Sequence, residues 1–235
     1  MTEKQDMENS QKPPAQTSQG LRVLIVTSVN AERDAVLRGL GGTGAERFEV
    51  LVGGVGVAAA AASTAGALAL SRYDLIICAG IAGGFKDKAE IGTIVMASEI
   101  IAADLGAETP DGFLSVDELG FGSSRFQVNS GHLAALTEAI RAAGVSVQTG
   151  PVLTLSTVTG TAETAALLAE RVPGAAAEAM EGYGIAAAAY QHGVPVLEIR
   201  AISNIVGPRD RDAWRIGDAL KALEAASSIL TEVLQ

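Results

Sequence analysis

The stretch LRVLIVTSV (residues 21–29), followed at once by NAERDAVLRGL (residues 30–40), decides the fold class. A near-continuous run of Val, Ile and Leu suits a strand covered on both faces, as in a parallel or mixed sheet. The period then changes. Ala31, Ala35, Val36 and Leu40 have helical spacing, with Asn30 placed to cap the helix and Gly41–Gly42 to end it. A buried strand feeding directly into a helix is the repeating unit of α/β architecture.

Downstream, the same alternation continues. Phe48–Val52 predicts a strand, then GGVG, then an Ala-rich helix over Val57–Leu70. Asp74–Ala79 predicts a third buried strand that stops before GIAGGF (residues 80–85), and Ile91–Ala103 a fourth. A polar excursion fills Leu105–Ser130. Helices are expected over His132–Ala143, Ala162–Arg171, Glu178–Gln191 and Arg211–Leu234, with strands over Val145–Thr157 and Pro195–Ile202. No repeat or linker interrupts the pattern. The expectation is one α/β domain over residues 21–235, with three layers and a central mixed sheet flanked by helices.

Composition narrows the function classes. The 235 residues are 48% hydrophobic, enough for a sizeable core, so wholesale disorder is excluded. One Cys and two His exclude a disulfide framework and a Cys/His zinc site. The net charge of −10, from 17 basic and 27 acidic side chains, argues against nucleic acid or an anionic membrane as partner. Residues 1–20 hold no apolar run of the kind a secretory signal or membrane helix needs. They are expected to form a disordered tail without function, and the protein to reside in the cytoplasm.

In open α/β sheets, ligands sit beyond the carboxyl ends of strands. The segments to inspect are Ser28–Glu32, Gly53–Gly56, Gly80–Phe85, Thr157–Thr161 and Ser203–Gly207. Gly54, Gly56 and Ala59 match a G-x-G-x-x-A pattern, but the acid about 20 residues on, Asp74, begins its strand instead of ending it. A dinucleotide site is therefore a weak fit. No Lys-containing phosphate loop occurs.

Read together, TSVNAERDAVL, GGVGVAAAAASTA, ICAGIAGGF, and the pair AMEGYGIAAAA and PVLEIRAISN resemble the purine nucleoside phosphorylase/nucleosidase superfamily. The methylthioadenosine/adenosylhomocysteine nucleosidases are a well-known branch. The stretches ADLGAE (residues 103–108), TVTGTAE (157–163) and ISNIVGPRDRDAW (202–214) are most similar to the futalosine hydrolases, which act in the futalosine route to menaquinone. The resemblance runs from about Leu21 to the C-terminus. It implies a nucleoside phosphorylase-like fold, hydrolysis of an N-glycosidic bond in a 6-oxopurine nucleoside, no cofactor or metal, and a homo-oligomer of at least two chains. A related purine nucleosidase or a nucleoside phosphorylase is the alternative enzyme, and a non-catalytic nucleoside-binding module the alternative from another class.

By position, the resemblance implies that Glu32 activates the attacking water, that Glu181 accepts from the ribose hydroxyls, and that Asn204 faces the purine. Met180 would pack under the ribose, Val158 and Thr159 would flank the base, and Gly80 and Ile81 complete the expected substrate contacts. Two departures matter. Ala179 stands where the nucleosidases have a Glu directly before the Met, with Glu178 displaced by one, so a second carboxylate on the ribose is in doubt. Asn204 stands where adenine-specific members have Asp.

These residue types suit the chemistry. Bond cleavage builds positive charge on the ribose and negative charge on the departing base, and a carboxylate near the water can take its proton. Glu32 also suits a plain helix-dipole partner in a first turn. Glu181, opening an almost uncharged helix, suits either a ligand group or a dipole partner. An amide offers both a donor and an acceptor, matching protonated N7 beside O6 of hypoxanthine, where a carboxylate would oppose O6. Asn is equally common at strand ends. GIAGGF has no cation or hydroxyl for phosphate, and Glu32 would repel it, although Arg33 is close. Futalosine carries a benzoate; Arg209, Arg211 and Arg215 could hold its carboxylate, or simply form a solvated helix start. Trp214 could pack on the ligand or anchor the last helix. Cys78 is expected in the core, and His132 and His192 are expected to be structural or surface groups.

Overall fold

A computed structural model describes residues 20–42 and 44–235 of the chain. The expected tail over residues 1–20 therefore lies almost wholly outside the described residues.

The opening run forms β1 (Val23–Thr27), each residue buried, followed by α1 (Asn30–Gly39). The helix starts one residue earlier than Asn30 as cap would require. Val29 holds the cap position, and the Glu32 carboxylate turns back to accept from the Ser28 and Val29 N–H groups. The chain continues with β2 (Phe48–Val52), α2 (Val57–Leu70), β3 (Leu75–Gly84) and β4 (Ile94–Ala102). The polar excursion contains a hairpin, β5 (Gly106–Thr109) with β6 (Gly112–Ser115), and then β7 (Arg125–Gln127). The remainder is α3 (Ser130–Ala142), β8 (Val147–Thr154), α4 (Ala162–Arg171), β9 (Ala177–Ala179), α5 (Gly182–Gln191), β10 (Val196–Ile205) and α6 (Ile216–Val233).

The central sheet is mixed, and it closes on itself. β3 pairs with β10, β10 with β4, β4 with β8, β8 with β9, and β9 with the far end of β3. β1 and β2 extend the sheet from β3, and β7 adds to β4. Alternate residues of β1 serve opposite cores. Val23 and Ile25 pack with Ala35, Leu136 and Leu223 of α1, α3 and α6, while Leu24 and Val26 pack with Ala60 and Ile185 of α2 and α5. Helices thus cover both faces, as the alternation predicts. No helix of the described residues is long and apolar enough to cross a membrane.

Three expected boundaries are corrected. GIAGGF is not a loop after the third strand; residues 80–84 continue β3, because β10 and β9 supply hydrogen-bond partners along its edges. Glu178–Gln191 is not one helix. Its first residues pair between β3 and β8 as β9, and only from Gly182 does the Ala-rich stretch wind into α5. The last helix also starts later than Arg211. Residues Arg211–Ala213 form a separate short turn before α6.

Candidate active site

All five inspected segments meet at one end of the sheet around a cavity of about 310 Å3, within the range of small-molecule sites. Glu32, Val55, Ile81, Thr159 and Asn204 represent one segment each in its lining. Val158, Met180 and Glu181 line it too. Gly80 lies just beneath. A Cβ there would stand 2.6 Å from Glu32 Oε1 and 2.9 Å from Arg200 Nη1, so only glycine lets the two charged groups approach across the strand.

Glu32 is 3% exposed. Its Oε1 accepts from the Ile81 N–H at 2.8 Å, and its Oε2 from Ser28 at 2.9 Å and Val29 at 3.2 Å. The two sequence alternatives are therefore both realised: the carboxylate satisfies the start of α1 and also faces the cavity. Three backbone donors fix its orientation without any side-chain partner.

Glu181 precedes α5 and is also buried. Its Oε1 accepts from the Gly56 N–H at 3.3 Å, and its Oε2 from the Met180 N–H at 3.3 Å and from Arg200 Nη2 at 3.2 Å. Arg200 was not singled out from the sequence, and neither was Glu198. Arg200 is 1% exposed and Glu198 fully buried. Arg200 Nε donates to Glu198 Oε1 at 2.8 Å, and Nη2 also donates to Cys78 Sγ at 3.1 Å. Burial raises the Cys78 thiol well above its usual range, so it stays neutral. Burial also raises the Glu198 carboxyl, against the pull of Arg200. Cys78 is buried as expected, but its neighbours are charged. Gly182 makes this possible, since any Cβ there would collide with the Glu198 carboxylate.

Asn204 lies within β10, at a register shift between Ile202 and Asn204, not at a turn beyond the strand. Its Oδ1 accepts from Ser203 Oγ at 2.8 Å, and its Nδ2 donates to the Ile205 carbonyl at 3.2 Å. One amide hydrogen remains for a ligand. Glu178, displaced by one from the expected carboxylate position, also lines the cavity. It accepts from the Thr159 N–H at 2.8 Å and from the Thr159 hydroxyl, and so fastens the Thr157–Thr161 segment to β9. Burial raises its carboxyl above the ordinary range.

Trp214 is half-buried and lines the cavity, so it serves the pocket and not the core. Arg209, Arg211 and Arg215 are exposed. Arg33 is spent on Asp34. His192 is exposed, and His132 sits in the first turn of α3, away from the cavity. Among the described residues, no group of three or more His, Cys, Asp or Glu could hold a metal ion.

The arrangement places three buried, preorganised carboxylates, Glu32, Glu178 and Glu181, and one amide around a nucleoside-sized space. The sequence profile described as the Phosphorylase superfamily matches residues 26–235. A futalosine hydrolase of Streptomyces coelicolor is 51% identical, covering 92% of this chain and 97% of the relative. One of Acidothermus cellulolyticus is 48% identical, over 88% of this chain and 89% of the relative. The solved structure of a futalosine hydrolase from Helicobacter pylori strain 26695 superposes with a TM-score of 0.75 at 17% identity, over 89% of this chain and 97% of that one.

Proposed function

The chain belongs to the phosphorylase superfamily, and from that premise we propose that it hydrolyses the N-glycosidic bond of futalosine. The products are hypoxanthine and dehypoxanthine futalosine, in the futalosine route to menaquinone. One observation carries the substrate choice: an amide, Asn204, held by Ser203 and Ile205, lines the pocket with one free donor hydrogen. That donor suits O6 of a leaving 6-oxopurine, where negative charge builds as the bond breaks.

Glu32 acts as the general base for water, and its carboxylate also favours the cationic ribose of the transition state. Glu181 accepts from the ribose hydroxyls, held in place by Arg200. Met180 supports the ribose, and Val158 and Thr159 flank the base, with Glu178 keeping that segment in position. Ile81 and Gly80 shape the floor beside Glu32. Hydrolysis is favoured over phosphorolysis because the Arg200 guanidinium beneath the pocket is committed to two carboxylates, and Glu32 would repel phosphate.

The working unit is a homo-oligomer of at least two chains. Support comes from α2, a 14-residue helix without a charged side chain, which exposes Ala58, Ala62, Ala69 and Leu70. Residues 21–235 form one nucleosidase domain, and the cytoplasm is the compartment. Product analysis tests the reaction. Futalosine in phosphate-free buffer should yield hypoxanthine and a free reducing sugar. A strict need for phosphate, with a sugar 1-phosphate formed, would refute hydrolysis.

A further inference from the structure

The three carboxylates that line the pocket are not held alike. Glu32 and Glu178 each accept from a backbone N–H at 2.8 Å. Glu181 has no such short bond. Its two backbone donors, Gly56 and Met180, both stand at 3.3 Å, and its charged partner is Arg200 at 3.2 Å. The direction of the Glu181 carboxylate therefore depends on where the Arg200 guanidinium is fixed.

β10 supplies the fixing group. Val196, Glu198, Arg200 and Ile202 alternate onto one face of the strand, and Val196 and Ile202 pack there with Ala60 of α2 and Ile185 of α5. In register on β3, Cys78 stands opposite Glu198 and Gly80 opposite Arg200. β3 thus offers the pair room and no charge. A guanidinium is planar, so hydrogen bonds at two of its nitrogens set its rotation. Arg200 Nε donates to Glu198 Oε1 at 2.8 Å, and Nη2 donates to Cys78 Sγ at 3.1 Å as well as to Glu181. Nη1 reaches the Ile81 carbonyl at 3.4 Å. The bond to Glu198 is the shortest of the set.

Glu198 uses only one of its oxygens. Oε1 takes Arg200 Nε and the Cys78 thiol, the latter at 3.8 Å, while Oε2 is buried with no hydrogen-bond partner among the described residues. Gly182, directly after Glu181, lies against both oxygens and leaves no room for a Cβ. Packing from α5 therefore holds the carboxylate in place. An unpaired buried oxygen is costly, and a second acceptor atom gains nothing here. What the geometry uses is one acceptor at one position.

We propose that Glu198 is a positioning residue for ribose capture: its Oε1 fixes the Arg200 guanidinium, which in turn aims Glu181 at the ribose hydroxyls. Glu198 touches no substrate and acts two side chains away. This rests on the nucleosidase reading, which gives Glu181 those hydroxyls to hold.

The test sets Glu198→Gln against Glu198→Asp, by kcat/KM for futalosine. Gln loses the charge but keeps an acceptor at Oε1, with its amide nitrogen where Oε2 has no partner to lose. Asp keeps the charge but withdraws the acceptor by one methylene. The Gln variant should stay close to wild type. The Asp variant should lose about 10- to 100-fold, as a misplacement of about 1 Å allows. Hypoxanthine, which has no ribose, should inhibit both variants as it inhibits wild type. An Asp variant as active as wild type, or a Gln variant that loses as much as Asp, overturns the positioning role. So does weakened hypoxanthine inhibition in the Asp variant, the mark of a distorted pocket. Should the Asp variant fail to fold, Gly182→Ala displaces the same carboxylate from the α5 side, and it should give the same loss with the same hypoxanthine inhibition. Wild-type protein inert on futalosine refutes the proposed function itself, and this role with it.

Discussion

Replacing Asn204 by Asp changes one amide nitrogen into an oxygen and adds a charge. Nδ2 now donates to the Ile205 carbonyl at 3.2 Å and has one hydrogen left for the purine. In the variant both donations vanish, and a carboxylate oxygen faces O6 of the base and the Ile205 carbonyl. A hydrogen bond involving a charged partner contributes about 1.5–3 kcal/mol, and the departing purine is charged in the transition state. At about 1.36 kcal/mol per decade, kcat/KM for futalosine should fall roughly 10- to 150-fold. The lost contact with Ile205 is neutral, and should cost about 1 kcal/mol of stability, seen in urea denaturation. Ser203 keeps its partner, because Oδ1 is unchanged. The assay is hypoxanthine release beside adenine release from the 6-amino analogue of futalosine. The variant should lose the first and gain the second relative to wild type, and acidification should restore part of the first by protonating the new carboxyl. Unchanged futalosine kinetics, or an equal loss on both substrates, would refute the donor argument.

Glu32→Ala should lower kcat about 10²- to 10⁴-fold while futalosine binding survives within several-fold; single-turnover kinetics showing near-normal chemistry would contradict its role as base. Arg200→Met strands Glu181 and Glu198 without a buried counter-charge and should cost about 3–5 kcal/mol in urea denaturation, whereas Arg200→Met combined with Glu198→Met should regain much of that loss. Burial disfavours the charge on Glu178 and raises its carboxyl above the ordinary carboxylate range in the folded chain. The folded state then binds its proton more tightly than the unfolded state, so stability falls as pH rises from the ordinary carboxylate value through the raised one. Glu178→Gln should flatten that part of the stability–pH curve; an unaltered slope would assign it to another group.

The strands and most helices were legible because burial on both faces leaves little choice of residue: LRVLIVTSV and the period change after it are unambiguous. GIAGGF misled because glycine suggests a turn locally, while its strand pairing is tertiary, supplied by β10 and β9. The start of Glu178–Gln191 misled for the same reason. Alanine favours helix, and a three-residue strand between two neighbours overrides it. Glu32, Glu181 and Asn204 were found through resemblance, and the structure brings them to one cavity. Glu198 and Arg200 carried an unused signal. Two charged residues at i and i+2 on an otherwise apolar strand share one face, and buried charges of that kind need each other. Glu178 gave no such signal, because its partner Thr159 lies 19 residues away in a loop.

The central claim is that this pocket cleaves a 6-oxopurine nucleoside of futalosine type. Its most direct test is kcat/KM for base release from futalosine and from methylthioadenosine, measured side by side with the purified full chain. The account predicts hypoxanthine release from futalosine at least about 100-fold more efficient than adenine release, the discrimination expected when a pocket donor meets the wrong partner. Equal efficiency, or a preference for methylthioadenosine, would contradict it.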